Sequence, residues 1–140
     1  MVVINSEQEM LDFGRKLGRG LTAPAMLELI GDVGAGKTTL TRGIAEALGI
    51  HEPVTSPSFT ISKRYVGKTT DGRKIILAHY DFYRLPDPGI MSEELSETLN
   101  DENTITIVEW GGSVKNLLPE NHQKIEIKYR EDGSREVITS

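Results

Sequence analysis

Residues 31–38 of the chain read Gly31-Asp32-Val33-Gly34-Ala35-Gly36-Lys37-Thr38. The spacing G-x-x-x-x-G-K-[ST] is that of a loop cradling the phosphates of a nucleoside triphosphate with its magnesium. Each residue type has a task there. Glycines let the backbone wrap close to the phosphates and turn successive N–H groups inward. Lys37 brings a point charge to the β- and γ-phosphates, and the Thr38 hydroxyl is placed to ligate Mg²⁺. The ligand set expected from the motif and its neighbour runs from Asp32 through Val33, Gly34, Ala35, Gly36, Lys37 and Thr38 to Thr39.

Such a loop works only between a buried strand and a helix. Ala25-Met26-Leu27-Glu28-Leu29-Ile30 supplies the strand. Leu40, Ile44, Ala45 and Leu48 recur at helical spacing after it, and Gly49 stands where the helix should stop. Hydrolysis or transfer also needs a carboxylate near the metal and a group that orients the nucleophile. Two acidic residues end apolar strands. Glu109 follows Thr104-Ile105-Thr106-Ile107-Val108 and Asp81 follows Ile75-Ile76-Leu77-Ala78-His79-Tyr80. Glu109 is the stronger metal contact, because its β-branched strand belongs beside the phosphate-loop strand at the sheet centre. Asp81 either shares the metal or holds the attacking water. By position alone, each also fits a carboxylate capping a turn.

Thr55-Ser56-Pro57-Ser58 follows the loop helix, where hydroxyl-bearing switch segments sense the γ-phosphate and metal; a plain hydrophilic loop is the alternative. His79 reads as a packing and hydrogen-bonding residue. Trp110, the one tryptophan, reads either as core or as a stacking surface.

Around these residues the spacing predicts a helix capped by Ser6 and Glu9, carrying Met10, Phe13 and Leu17 on one face and ending at Gly18 to Gly20. Strands are predicted over 58–66 and 74–80 about an Asp71-Gly72 turn, and a short acidic helix over 92–99. A terminal hairpin is predicted from 124–129 and 135–139. The fold expected is α/β: a P-loop NTPase-like mixed sheet with a parallel centre, flanked by helices and extended by antiparallel hairpins, in a single domain over 1–140.

Bulk properties narrow the partners. The 140 residues carry a net charge of −5 and no cysteine. Disulfides, thiolate metal sites and cysteine nucleophiles are excluded. The acidic balance argues against tight independent binding of nucleic acid. No apolar run approaches a membrane span, Met1 to Met10 lacks a signal layout, and the lack of cysteine is compatible with a cytoplasmic location.

The phosphate loop is followed by Val54-Thr55-Ser56-Pro57-Ser58-Phe59-Thr60, then His79-Tyr80-Asp81-Phe82-Tyr83-Arg84-Leu85, then Val108-Glu109-Trp110. In order and spacing these blocks resemble the bacterial TsaE (YjeE) ATPases of tRNA threonylcarbamoyladenosine modification. The resemblance implies a small ATPase that works with the TsaB and TsaD proteins and whose hydrolysis of ATP resets that assembly between turnovers. It implies that Lys37 and Thr38 meet phosphate and magnesium, that Glu109 is a second magnesium contact and that Asp81 is required for hydrolysis. It also places Thr55 and Ser56 in a switch-like loop and Trp110 near the nucleotide. The Glu93-Glu94-Leu95 run lies a few residues later than in many members, which bears on partner docking. Two other readings share the loop: a small P-loop kinase of a nucleoside or metabolite, and a nucleotide-gated binding module with negligible turnover. No arginine-rich lid segment supports the first, and the guanine-reading Asn-Lys-x-Asp pattern is absent.

Overall fold

The computed structural model describes residues 1–32, 34–55, 62–83, 89–120 and 122–140. Val33, Ser56, the beginning of the strand expected at 58 and the Arg84-Leu85 end of the third sequence block therefore lie outside the described residues. The chain runs β1 (Val2–Ile4), α1 (Glu7–Arg19), β2 (Ala25–Ile30), α2 (Lys37–Ala47), β3 (Ser62–Lys68), β4 (Lys74–Asp81), α3 (Ile90–Leu99), β5 (Thr104–Glu109), a 3₁₀ segment (Gly111–Leu117), β6 (Gln123–Tyr129) and β7 (Arg135–Thr139).

The strands form one mixed sheet in the order β1-β7-β6-β2-β5-β4-β3. Its centre is parallel: β2 lies between β5 and β6, and β4 continues the parallel set beyond β5. Antiparallel partners close both sides, β3 on β4 and β7 on β6 with β1 outermost. This is the mixed sheet with hairpins that the sequence predicts. Every residue of β5 is buried, as a strand covered on both faces requires. One apolar layer, built around Leu27, Leu29, Leu40, Ile44, Leu77, Ile105 and Ile107, lies between the sheet and α1 and α2. A second, around Met26, Tyr80, Leu95, Val108 and Val114, fills the opposite face.

One strand is missing from the sequence reading. β1 is too short to show a period. α1 ends at Arg19 with Gly20 as its cap, within the Gly18 to Gly20 stretch expected to stop it, and its buried positions are Met10, Gly14 and Gly18. The spacing of four residues stacks Met10 and the two glycines on one face, and α2 comes close at the glycines. A Cβ on Gly43 of α2 would lie 2.3 Å from the Leu11 carbonyl oxygen and 2.9 Å from the Cα of Gly14. Both neighbours are backbone and cannot rotate away. Gly43→Ala should therefore force the helices apart and cost about 3 kcal/mol, the upper part of the overpacking range, read as a lower midpoint in urea unfolding.

Candidate functional site

The parallel strands β2, β4, β5 and β6 all end on the same edge of the sheet, and ligands of open α/β sheets bind outside that edge. The loop leaving β2 is held in shape locally: Ala35 N–H donates to the Asp32 carbonyl at 3.0 Å. Gly34 (φ 82°) and Gly36 (φ 113°) take left-handed backbone that a side chain would strain. A Cβ on Gly36 would also come within 3.1 Å of the Met10 side chain of α1.

The two helix starts contrast. At α1, Ser6 Oγ accepts from Glu9 N–H at 3.1 Å and the Glu9 carboxylate accepts from Asn5 N–H at 2.5 Å. At α2, the Gly36 cap offers no side chain and the first turn carries no acid. The first amides of α2 and its positive dipole end are thus left for an anion from outside. Thr38 and Thr39 are half-buried in that turn.

Lys37 and Glu109 meet beside the loop and are almost fully buried. Lys37 Nζ donates to the Gly31 carbonyl at 2.6 Å and lies 3.5 Å from Glu109 Oε1. The Trp110 ring covers the ammonium, its centroid 4.6 Å from Nζ, and Tyr83 packs on that ring at 4.8 Å. Trp110 is the one described non-glycine residue with positive φ, and it is 38 % exposed, so it is not a core tryptophan. The other Glu109 oxygen, Oε2, is hydrogen-bonded to Nε2 of the fully buried His79. Burial pushes the Glu109 carboxyl up, but the His79 hydrogen bond and charge, with the Lys37 ammonium, outweigh it and leave it below the ordinary carboxylate range. The site therefore holds an anionic carboxylate beside a lysine.

Asp81 stands opposite Glu109 in the β4–β5 register, is buried, and accepts from Tyr83 N–H at 2.9 Å. The structure thus brings together Lys37, Glu109, Asp81 and Trp110, drawn from three chain segments. Asp32, inside the loop, is exposed. Thr55 is also exposed, and its described contacts lead to β3: its N–H reaches Tyr65 Oη at 3.4 Å and its hydroxyl accepts from Lys63 Nζ.

The C-terminal hairpin braces the loop from the other side. Tyr129 Oη donates to the Gly34 carbonyl, Arg135 Nε donates to the Ala35 carbonyl at 3.3 Å, and the guanidinium stacks on the Tyr129 ring at 4.3 Å. Tyr129 and Arg135 are direct partners in the β6–β7 register. The sequence shows only a hairpin here; nothing local to it signals contact with the loop. Among the described residues, two cavities border the loop. One of about 350 Å³ is lined by Ile4, Ser6, Met10, Gly36, Thr39 and Arg135 among others; the second, about 680 Å³, is lined by Glu28, Ile30, Asp32, Trp110 and Tyr129 among others.

A mixed sheet with a parallel centre, a glycine loop at the end of its central strand and a helix opening from that loop define a P-loop-type α/β protein. The family described as "Threonylcarbamoyl adenosine biosynthesis protein TsaE" matches residues 4–137. A protein of Nostoc sp. named "tRNA threonylcarbamoyladenosine biosynthesis protein TsaE" is 35% identical over 138 residues, 96% of this chain and 82% of that protein. A Bacillus subtilis protein of the same name is 42% identical over 114 residues, 80% of this chain and 66% of that protein. The crystal structure of Bacillus subtilis YdiB superposes with a TM-score of 0.79 at 31% identity, covering 99% of this chain and 83% of that one. The chain belongs to the TsaE family. Among the described residues no helix is long and apolar enough to cross a membrane.

Proposed function

We propose that this protein binds ATP with Mg²⁺ and hydrolyses it as an accessory to tRNA threonylcarbamoyladenosine modification, resetting a TsaB–TsaD assembly between turnovers. The observation that carries the hydrolytic reading is the meeting of Lys37, Glu109 and Asp81 at the strand ends beside the loop. The pathway is taken from the description of the family and the names of its members, and the partners from the resemblance of the sequence blocks to that family. The whole chain acts as one domain in the cytoplasm.

The donors fit magnesium. Thr38 offers a hydroxyl and Glu109 a carboxylate held anionic, with Asp81 next to it; Mg²⁺ takes one or two carboxylate ligands and fills its octahedron with phosphate oxygens and water. Bound there, the ion would supply charge neutralisation to the polyphosphate. The chain does the rest. Backbone N–H groups of 33–38 and the Lys37 ammonium hold the polyphosphate in line. Asp81 orients or polarises the attacking water. Sensing of the γ-phosphate falls to the Thr55–Ser58 segment, of which only Thr55 is among the described residues.

Lys37, Glu109 and Trp110 mark the γ-phosphate end, so the base leaves the loop past Thr39. It enters the smaller cavity, where Ile4 and Met10 offer apolar surface and Arg135 a flat cation. Arg135→Ala, which removes that face and the bond to the Ala35 carbonyl, should weaken ATP binding about tenfold by calorimetry, the loss of one charge-assisted hydrogen bond.

The test is calorimetry with millimolar Mg·ATP, then phosphate release with and without the two partner proteins. Saturable heat and partner-stimulated release of inorganic phosphate are expected. A folded sample that gives no heat overturns the reading. Transfer of phosphate to an added nucleoside, rather than to water, makes the protein a kinase instead.

A further inference from the structure

We infer that His79 is the positioning residue for Glu109: it clamps one carboxylate oxygen so that the other faces the phosphate loop and its metal. The inference rests on the magnesium reading above and goes one residue beyond it.

The argument begins with the strand face. Ile75, Leu77, His79 and Asp81 occupy alternate positions of β4 and share the face that carries the apolar layer under α1 and α2. Ile75 and Leu77 are core residues there. An imidazole at the next position, with no exposed surface, is costly to bury unless its polar atoms are used. Among the described residues the ring uses one of them. Nε2 bonds Glu109 Oε2, whereas Nδ1 has no hydrogen-bond partner. A purely structural histidine would be expected to satisfy both nitrogens or to be replaced by an aliphatic residue.

The bond separates the two oxygens of Glu109. The carboxylate is acceptor-only, so the proton is on Nε2 and the donation runs from His79 to Oε2. Oε1 is the oxygen near Lys37, 3.5 Å from Nζ. Without the histidine, nothing described holds Oε2, and the side chain can rotate both oxygens between the lysine and the strand. With it, one oxygen is tied to β4 and the other is aimed at the ligand. A ligating carboxylate hydrogen-bonded from behind in this way gains both orientation and affinity.

The experiment measures Mn²⁺ affinity by its EPR signal on protein saturated with ADP, and ADP affinity in EDTA separately. His79→Leu should lose Mn²⁺ affinity by about ten- to a hundredfold, while ADP affinity in EDTA changes less than about twofold. His79→Gln, whose amide N–H reaches about as far as Nε2, should recover most of the loss; His79→Asn, whose amide stops short, should not. In a Glu109→Gln background, His79→Leu should add nothing, because His79 acts only through that carboxylate. Unchanged Mn²⁺ affinity in the Leu variant overturns the inference. So does a Gln variant no better than Asn, or a further loss in the Glu109→Gln background. Should the Leu variant fail to fold, the order of Gln over Asn decides. Wild-type protein that binds neither ADP nor metal refutes the nucleotide site itself, a result distinct from any of these.

Discussion

Lys37→Ala should lose ATP hydrolysis by at least about two to three orders of magnitude, the loss typical of removing one preorganised donor from developing transition-state charge. The side chain lies between the Gly31 carbonyl and Glu109, under the face of Trp110, and the proposed reaction places that charge beside it. Its Nζ is held by a neutral carbonyl and a carboxylate, both at the rim of the loop, so a short rotation of the flexible stem carries the ammonium to a phosphate. Ground-state binding should weaken too, because the loop amides alone must then hold a tetra-anion. Lys37→Arg should not rescue. The guanidinium is broader than the slot between the carbonyl and the indole, and it cannot deliver a compact point charge. Trp110 gives the readout: with one tryptophan in the chain, intrinsic fluorescence follows the movement of the ammonium from the indole when Mg·ATP binds. Wild type should show a saturable change and Lys37→Ala none. Full turnover by the alanine variant, measured as phosphate release, would remove the loop from the reaction.

What could be read in the sequence was whatever depends on neighbours in the chain. The loop is such a case: amides of consecutive residues converge, so spacing alone specifies it, and the structure gives Gly34 and Gly36 the left-handed backbone that the pattern needs. Glu109 was legible because a β-branched strand buried on both faces ends in one acid. The central place of that strand beside β2 followed from the same composition. Contacts made by sheet order rather than by neighbours were not legible. Tyr129 and Arg135 reach the loop from 95 and 100 residues away, through a hairpin whose position next to β2 no local signal announces. Gly18 to Gly20 end α1 as expected, but the packing of Gly18 against α2 was not legible. Helix stops and helix-packing notches both call for glycine, and only the approach of α2 separates the two. His79 was correctly read as a hydrogen-bonding residue, but the identity of its partner required the register of β4 on β5.

The same register sets the second large effect. Asp81→Asn should keep ATP binding within about threefold and lose hydrolysis by about two to four orders of magnitude, the range for removing a group that moves or orients a proton at the reacting water. Binding persists because the amides, Lys37 and Glu109 remain, and because the Asn side-chain oxygen can still accept from Tyr83 N–H as Asp81 does now. That bond and the Tyr83–Trp110 packing beyond it keep the wall of the site in place, so the loss falls on the chemical step. Asp81→Ala makes the comparison sharper, since it removes the turn bond as well. If Asp81 serves the reaction, Asn and Ala lose turnover alike, while only Ala lowers the melting temperature. If Asp81 serves the turn, Asn stays active and Ala loses activity in step with stability. The two carboxylates also part in their metal dependence. Glu109→Gln should raise the Mg²⁺ concentration needed for ATP binding, whereas Asp81→Asn leaves that concentration unchanged if the residue handles water, and raises it too if it shares the ion. Phosphate release and nucleotide calorimetry across a magnesium titration therefore decide between the two roles that strand position alone leaves open for Asp81.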